Sequence, residues 1–105
     1  MSEPLLCINT GLTIYDIPDV DKMEIIKSAG FDGVFNDKEK HSDYKATEIV
    51  AEKAAKLGLV YQSIHAPFYG MDDLWHDDSG EISKIMEQDL INSIDDCCNF
   101  DVPLV

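Results

Sequence analysis

The sequence predicts an α/β fold that corresponds to the N-terminal part of a (β/α)8 barrel, with about three strand-helix units and the start of a fourth strand. Short apolar runs alternate with longer stretches of helical periodicity. The chain has 105 residues, whereas a closed barrel takes ~250. It ends on VPLV, which begins another apolar run. Because an open edge at Val105 would leave backbone groups unpaired, we expect residues 1–105 to form a single partial domain, an incomplete barrel.

The first predicted unit begins with the apolar run Leu5–Asn9, which is typical of a strand buried on both faces. A helix of about ten residues follows, and Gly30 can adopt the left-handed conformation that ends helices. The apolar residues of this helix recur at a spacing of three, at Val20, Met23, Ile26 and Ala29. The unit is therefore a strand, a loop, a helix and a tight turn.

The second unit repeats this plan. Residues 31–35, FDGVF, predict a strand, and residues 46–57 predict a helix that ends at Gly58. Residues 59–67, LVYQSIHAP, predict the third strand. Period-two alternation places Val60 and Ile64 on one face of that strand and Tyr61, Ser63 and His65 on the other.

The third helix is predicted to run from an N-cap at Ser79 to about Cys98. Its predicted buried stripe consists of Ile82, Met86, Leu90, Ile94 and Cys97. Asn99 is expected to take the left-handed position that glycine takes in the first two units, because asparagine tolerates that conformation. The carboxylates of the helices, among them Glu24, Glu52 and Glu87, are expected to face solvent.

Composition excludes several classes of function. The formal charge of −13 repels phosphate backbones and anionic membranes, so we expect neither a nucleic acid nor a membrane as partner. No basic segment followed by an apolar run opens the chain, and a cytoplasmic protein is expected. The three cysteines lack metal spacing and are expected to be reduced. The sequence contains no glycine-rich phosphate loop and no GxSxG motif.

Candidate site residues follow from position, since (β/α)8 barrels carry their active sites at the C-terminal ends of strands. Asn9, Asn36 and His65 occupy such positions. We predict that His65 contacts substrate or ligates a metal, and that Asn9 contacts substrate. Trp75 could stack on a sugar or pack the rim of the barrel. His76, in the acidic loop Met71–Asp78, is a weaker candidate, and His41 is weaker still.

The turns AGFDGV and AAKLGL and the segment SIHAPF resemble the xylose-isomerase-like barrels, the superfamily of sugar phosphate isomerases and epimerases and of endonuclease IV. The resemblance implies a divalent metal (Zn, Mn, Mg or Co) held by carboxylates and a histidine on later strands, beside glutamates that move a proton next to a sugar carbonyl. In the endonuclease branch a histidine ending strand three ligates zinc, which implies that role for His65. Many members end strand two on an acidic residue, where this chain has Phe35 and Asn36.

The resemblance implies the N-terminal fragment of a metal-dependent sugar (phosphate) isomerase or epimerase whose parent protein acts on a small sugar or polyol. By itself the fragment is expected to be inactive and could lack a metal. One alternative is an endonuclease IV-like metal-dependent hydrolase. Another is a catalytically inactive fragment that forms a homo-oligomer through its open sheet edges. A complete flavodoxin-like domain would need five strands, and at most four are predicted.

Overall fold

The computed structural model describes residues 4–11, 16–38, 44–67 and 80–105. Three parallel strands lie side by side in the order β1-β2-β3 and alternate along the chain with three helices. The elements are β1 (Cys7–Asn9), α1 (Asp19–Ser28), β2 (Gly33–Asp37), α2 (Tyr44–Leu57), β3 (Val60–His65) and α3 (Glu81–Asn99). The predicted α/β alternation is confirmed, and strand two ends two residues later than the sequence indicates.

The end of the chain continues the sheet beyond β3. Leu104 forms a parallel bridge with Ser63, and the backbone N–H of Ile64 donates to the carbonyl oxygen of Leu104 at 3.0 Å. Leu104 therefore lies where VPLV predicts the start of a fourth strand, on the side of β3 away from β2.

Each helix ends in the same hydrogen-bonded turn. The N–H groups of Phe31, Leu59 and Val102 each donate to the carbonyl five residues earlier, as in a Schellman motif. The residue just before each has a positive φ, of 97° at Gly30, 71° at Gly58 and 56° at Asp101. These three turns are the physical basis of the repeated unit.

The prediction for Asn99 is wrong, because Asn99 is the last residue of α3 and the left-handed position falls on Asp101. The helix ends one residue beyond the predicted Cys98, and the left-handed position lies two residues beyond the predicted Asn99, since Phe100 still donates its N–H to the carbonyl of Asp96 at 3.0 Å. Aspartate, like asparagine, tolerates the left-handed region better than most residues do.

A bulge in β3 changes which side chains are buried. Tyr61 pairs with Val34, whereas Ser63 pairs with the next residue, Phe35, so the register shifts at this point. The shift interrupts the period-two alternation and puts Tyr61 and Ile64 on the same face. Ile64 is 1% exposed and Val60 is 41% exposed. The prediction that Val60 and Ile64 share a face is therefore wrong.

The core lies between the sheet and the helices. Its buried members are Met23, Ile26, Val34, Val50, Ala54, Leu59, Tyr61, Ile64, Cys97 and Val102. The other face of the sheet carries Cys7, Asn9, Phe35, Asp37, Ser63 and His65, all partly or fully exposed. In a closed barrel this second face is the interior.

The predicted stripe on α3 is only partly correct. Met86 and Cys97 are buried, but Leu90 and Ile94 are exposed. The helix instead buries Asp89, Ser93 and Asp96. Hydrogen bonds from Lys38 and Thr47 to Asp96 hold this face of the helix inward. The buried Ser93 hydroxyl is satisfied within the helix, where it donates to the Asp89 carbonyl at 2.8 Å. The side chain of Ile82 lies outside the described residues.

Candidate functional site

Asn9, the last residue of β1, makes two hydrogen bonds through its carboxamide. Its Oδ1 accepts the backbone N–H of Gly11 at 2.7 Å, which closes a turn of the kind that asparagine side chains favour. Its Nδ2 donates to Oδ2 of Asp37 at 3.3 Å. Because Oδ1 accepts from Gly11, Nδ2 is the end of the carboxamide that faces β2, and an amide nitrogen can donate to the Asp37 carboxylate.

Asp37 corrects the expectation that strand two ends without an acidic residue. The strand continues through Asn36 to Asp37, and the N–H of Lys38 donates to the carbonyl of His65 at 2.9 Å. Because side chains alternate, Asp37 lies on the same face as Phe35, one pleat further along. The signal in the sequence is the period-two spacing of residues 35 and 37, which continues the strand pattern beyond the apolar run.

His65 ends β3 as the register partner of Asp37. Neighbouring strands lie about 4.8 Å apart, so the two side chains leave the same face of the sheet next to each other. Nδ1 of His65 is 2.9 Å from the carbonyl oxygen of Ala66. Since a carbonyl only accepts, Nδ1 carries the proton in this contact, and in the neutral ring Nε2 carries the lone pair. The side chain is exposed at the edge where barrels bind ligands.

Asn36 does not join this group. Its side chain lies on the helix side of the sheet, where its Oδ1 accepts the hydroxyl of Tyr61. Trp75, His76, His41 and the loop Met71–Asp78 lie outside the described residues, and their roles stay predictions. Of the candidates chosen by position, the structure brings Asn9 and His65 to opposite sides of Asp37.

A cavity of about 1130 Å³ adjoins the ends of β1 and β2 and reaches between α1 and α2. Asn9 and Asp37 line it, and His65 does not. Its other polar lining residues include Asp16, Asp19, Lys22, Lys38 and Thr47. The cavity lining therefore combines polar side chains with aliphatic side chains such as Ile8 and Val50.

The donor chemistry of Asp37 and His65, a carboxylate beside an imidazole, suits Zn²⁺ or Mn²⁺. Among residues 4–11, 16–38, 44–67 and 80–105, no group of three or more His, Cys, Asp or Glu side chains is arranged to hold a metal. This pair could therefore supply part of a ligand set, and further ligands would have to come from elsewhere.

Burial raises the pKa of Tyr61, and the nearby Cys97 and Asp96 raise it further, while the hydrogen bond to Asn36 opposes this. The folded chain thus keeps this proton at a pH where the unfolded chain, with a tyrosine pKa of about 10, loses it. We expect the free energy of unfolding to fall as pH rises above about 10, by up to about 1.4 kcal/mol per pH unit from this residue.

Urea unfolding between pH 9 and 11 measures this dependence, with Tyr61→Phe as the control. The variant should start lower by about 1 kcal/mol, because it loses the hydroxyl bond to Asn36, and should show a shallower decline with pH. Parallel declines for the two proteins would contradict the prediction.

Parallel strands covered by helices on one face, with Leu104 bridged to β3, are the arrangement expected of part of a (β/α)8 barrel. No protein-family model and no curated protein matches the sequence. The solved structure of AP endonuclease, family 2, from Brucella melitensis matches the fold over 97% of this chain with a TM-score of 0.67. The match confirms the fold that the resemblance implied, part of a (β/α)8 barrel.

The sequence identity to that structure is 13%, so the likeness establishes the fold alone. This chain spans 40% of the length of the Brucella protein. Within the described residues, no helix is both long enough and apolar enough to cross a membrane. Cys7, Cys97 and Cys98 are all free thiols.

Proposed function

We propose that this chain is a partial domain that contributes to the active site of a metal-dependent isomerase or epimerase, one that moves a proton next to the carbonyl of a small sugar or polyol. The observation that carries the proposal is the side-by-side placement of Asn9, Asp37 and His65 at the C-terminal edge of the sheet. Active sites of (β/α)8 barrels lie at this edge.

Each of the three side chains has a distinct capacity. His65 Nε2 and the Asp37 carboxylate are ligand atoms for a divalent cation. Asn9 lines the cavity, and the N–H of its carboxamide that does not bond Asp37 can donate to a sugar hydroxyl. A metal bound here would polarise the substrate carbonyl. The residues that exchange the proton would belong to the remainder of a longer protein, as would the further metal ligands.

Electrostatics supports a sugar or polyol over DNA. The chain carries a formal charge of −13, and its eight basic residues are all lysines, so it has no arginine to clamp a phosphate. The buried amines of Lys22 and Lys38 are both engaged within the protein. A nuclease active on DNA would need its positive groove to come from other parts of the parent. Three free thiols suit the reducing cytoplasm, where we place the protein.

Mn²⁺ binding to the 105-residue chain tests the proposal, since Mn²⁺ favours oxygen and imidazole ligands over thiols and its free form is counted by electron paramagnetic resonance. We expect His65→Ala and Asp37→Asn each to weaken binding at least about tenfold, because each removes one ligand.

Asp95→Asn is the matched control, since Asp95 is an exposed carboxylate on α3. It should leave Mn²⁺ affinity within about twofold. Equal losses in Asp37→Asn and Asp95→Asn would show that the acidic surface binds the metal without a site. Light scattering on the same samples distinguishes a monomer from a homo-oligomer formed through the open sheet edges.

A further inference from the structure

Lys22 is a buried lysine on α1 whose contacts lead to the candidate site. Lys22 is 3% exposed, and its Nζ donates to the carbonyl oxygen of Gly11 at 2.6 Å. The same amine lies 3.1 Å from Oδ1 of Asp19, whose side chain is 53% exposed. An ion pair with a partner so exposed contributes little, so the short bond to Gly11 is the more important contact.

Gly11 is also the residue that holds the carboxamide of Asn9, through its N–H at 2.7 Å from Oδ1. A Cβ at Gly11 would lie 3.2 Å from that oxygen, so the turn brings the backbone very close to the side chain. The preceding residue, Thr10, is fully buried, and its N–H donates to the carbonyl of Phe35 at 2.9 Å. The turn is thus anchored to β2 by its backbone and to α1 by Lys22.

We infer that Lys22 is a positioning residue, which fixes the turn at Gly11 so that the Asn9 carboxamide donates to Asp37. The inference rests on the proposed function, because it gives Asp37 the role of a ligand. The order of contacts is Lys22 Nζ to the Gly11 carbonyl, the Gly11 N–H to Asn9 Oδ1, and Asn9 Nδ2 to Asp37 Oδ2. Partners that hold a metal-binding carboxylate commonly change metal affinity 10–100-fold when they are removed.

The direction of the change in Mn²⁺ affinity on replacing Lys22 distinguishes a positioning role from the effect of its charge alone. Removing a positive charge near a cation site strengthens cation binding if charge alone acts. We expect the opposite for Lys22→Met, a roughly tenfold loss of Mn²⁺ affinity. Lys27→Met, an exposed lysine on the same helix, reports the charge effect alone and should not weaken binding. In an Asn9→Ala background Lys22→Met should cause no further loss, because the contact through which it acts is already gone.

A second readout does not depend on the metal. In nuclear magnetic resonance spectra of the metal-free chain, Lys22→Met should speed exchange of the Gly11 amide proton about tenfold or more and shift the Asn9 side-chain amide signals, whereas Lys27→Met should do neither. If Lys22→Met does not fold, Lys22→Gln serves instead, since it is too short to reach Gly11 but keeps a polar group.

The outcomes are separable. Unchanged Gly11 exchange and Asn9 signals in a folded Lys22 variant would overturn the inference, as would tighter Mn²⁺ binding. Unchanged Mn²⁺ affinity in both Asp37→Asn and His65→Ala would instead remove the proposed function, and the Gly11 exchange would still decide whether Lys22 holds the turn.

Discussion

Lys38→Met is expected to destabilise the chain by about 3–5 kcal/mol, because it leaves a buried carboxylate without its cation. Lys38 follows β2, and its Nζ lies 2.5 Å from Oδ2 of Asp96 on α3. The same oxygen accepts the hydroxyl of Thr47 at 2.8 Å. Both charged side chains are almost fully buried, at 3% and 6% exposed. Typical domains are stable by only about 5–15 kcal/mol, so the variant could lose much of its folded population.

Urea unfolding followed by circular dichroism measures the effect, and a double variant shows its cause. Lys38→Met combined with Asp96→Leu removes both charges, and we expect it to recover most of the lost stability, since hydrophobic replacement of a buried pair is often neutral. Lys53→Met is the control, because Lys53 pairs at 2.7 Å with Glu24 on the surface, and its removal should matter far less. A double variant as unstable as the single one would contradict this account.

Ile64→Ala should cost about 2–5 kcal/mol, because it opens a cavity where β3 meets the helices. Ile64 is 1% exposed and belongs to the core cluster. The change lies on the helix side of the sheet, away from His65, so it should act on stability and not on the donor groups of the candidate site. Denaturant unfolding at constant m-value measures it.

Val60→Ala is the matched control on the same strand. Val60 is 41% exposed, and truncating it should cost less than about 1 kcal/mol. The two variants together test the bulge in β3, because an unbroken alternation would place residues 60 and 64 on one face and make their costs similar. Similar losses would therefore argue against the register shift.

Much of the fold could be predicted from local patterns. Gly30 and Gly58 end their helices with positive φ as expected, and the apolar periodicity of residues 46–57 predicted α2 to within two residues. Backbone geometry explains this success, since few residues other than glycine adopt a left-handed conformation at low cost. Asp101 shows the limit of such patterns. Asparagine and aspartate both tolerate the left-handed conformation, so residue type alone cannot decide between Asn99 and Asp101.

The candidate site was only partly predictable. His65 and Asn9 were predicted from their positions at strand ends. Asp37 was missed because β2 continues for two further residues, which are stabilised by pairing with β3. The role of Lys22 had no signal in the sequence, since its target is a backbone carbonyl. Contacts to the backbone leave no pattern of residue types.

The sequence by itself determined the order of the elements, the turns that end α1 and α2, and the barrel class, because each depends on residues close together in the chain. Only the tertiary structure decided which faces are buried and which polar groups meet. Three features depend on pairing between distant segments: the bulge between Tyr61 and Ser63, the burial of Lys38 with Asp96, and the placement of Asp37 between Asn9 and His65. Such pairings are set by packing and hydrogen bonding across the sheet, and local propensity does not encode them.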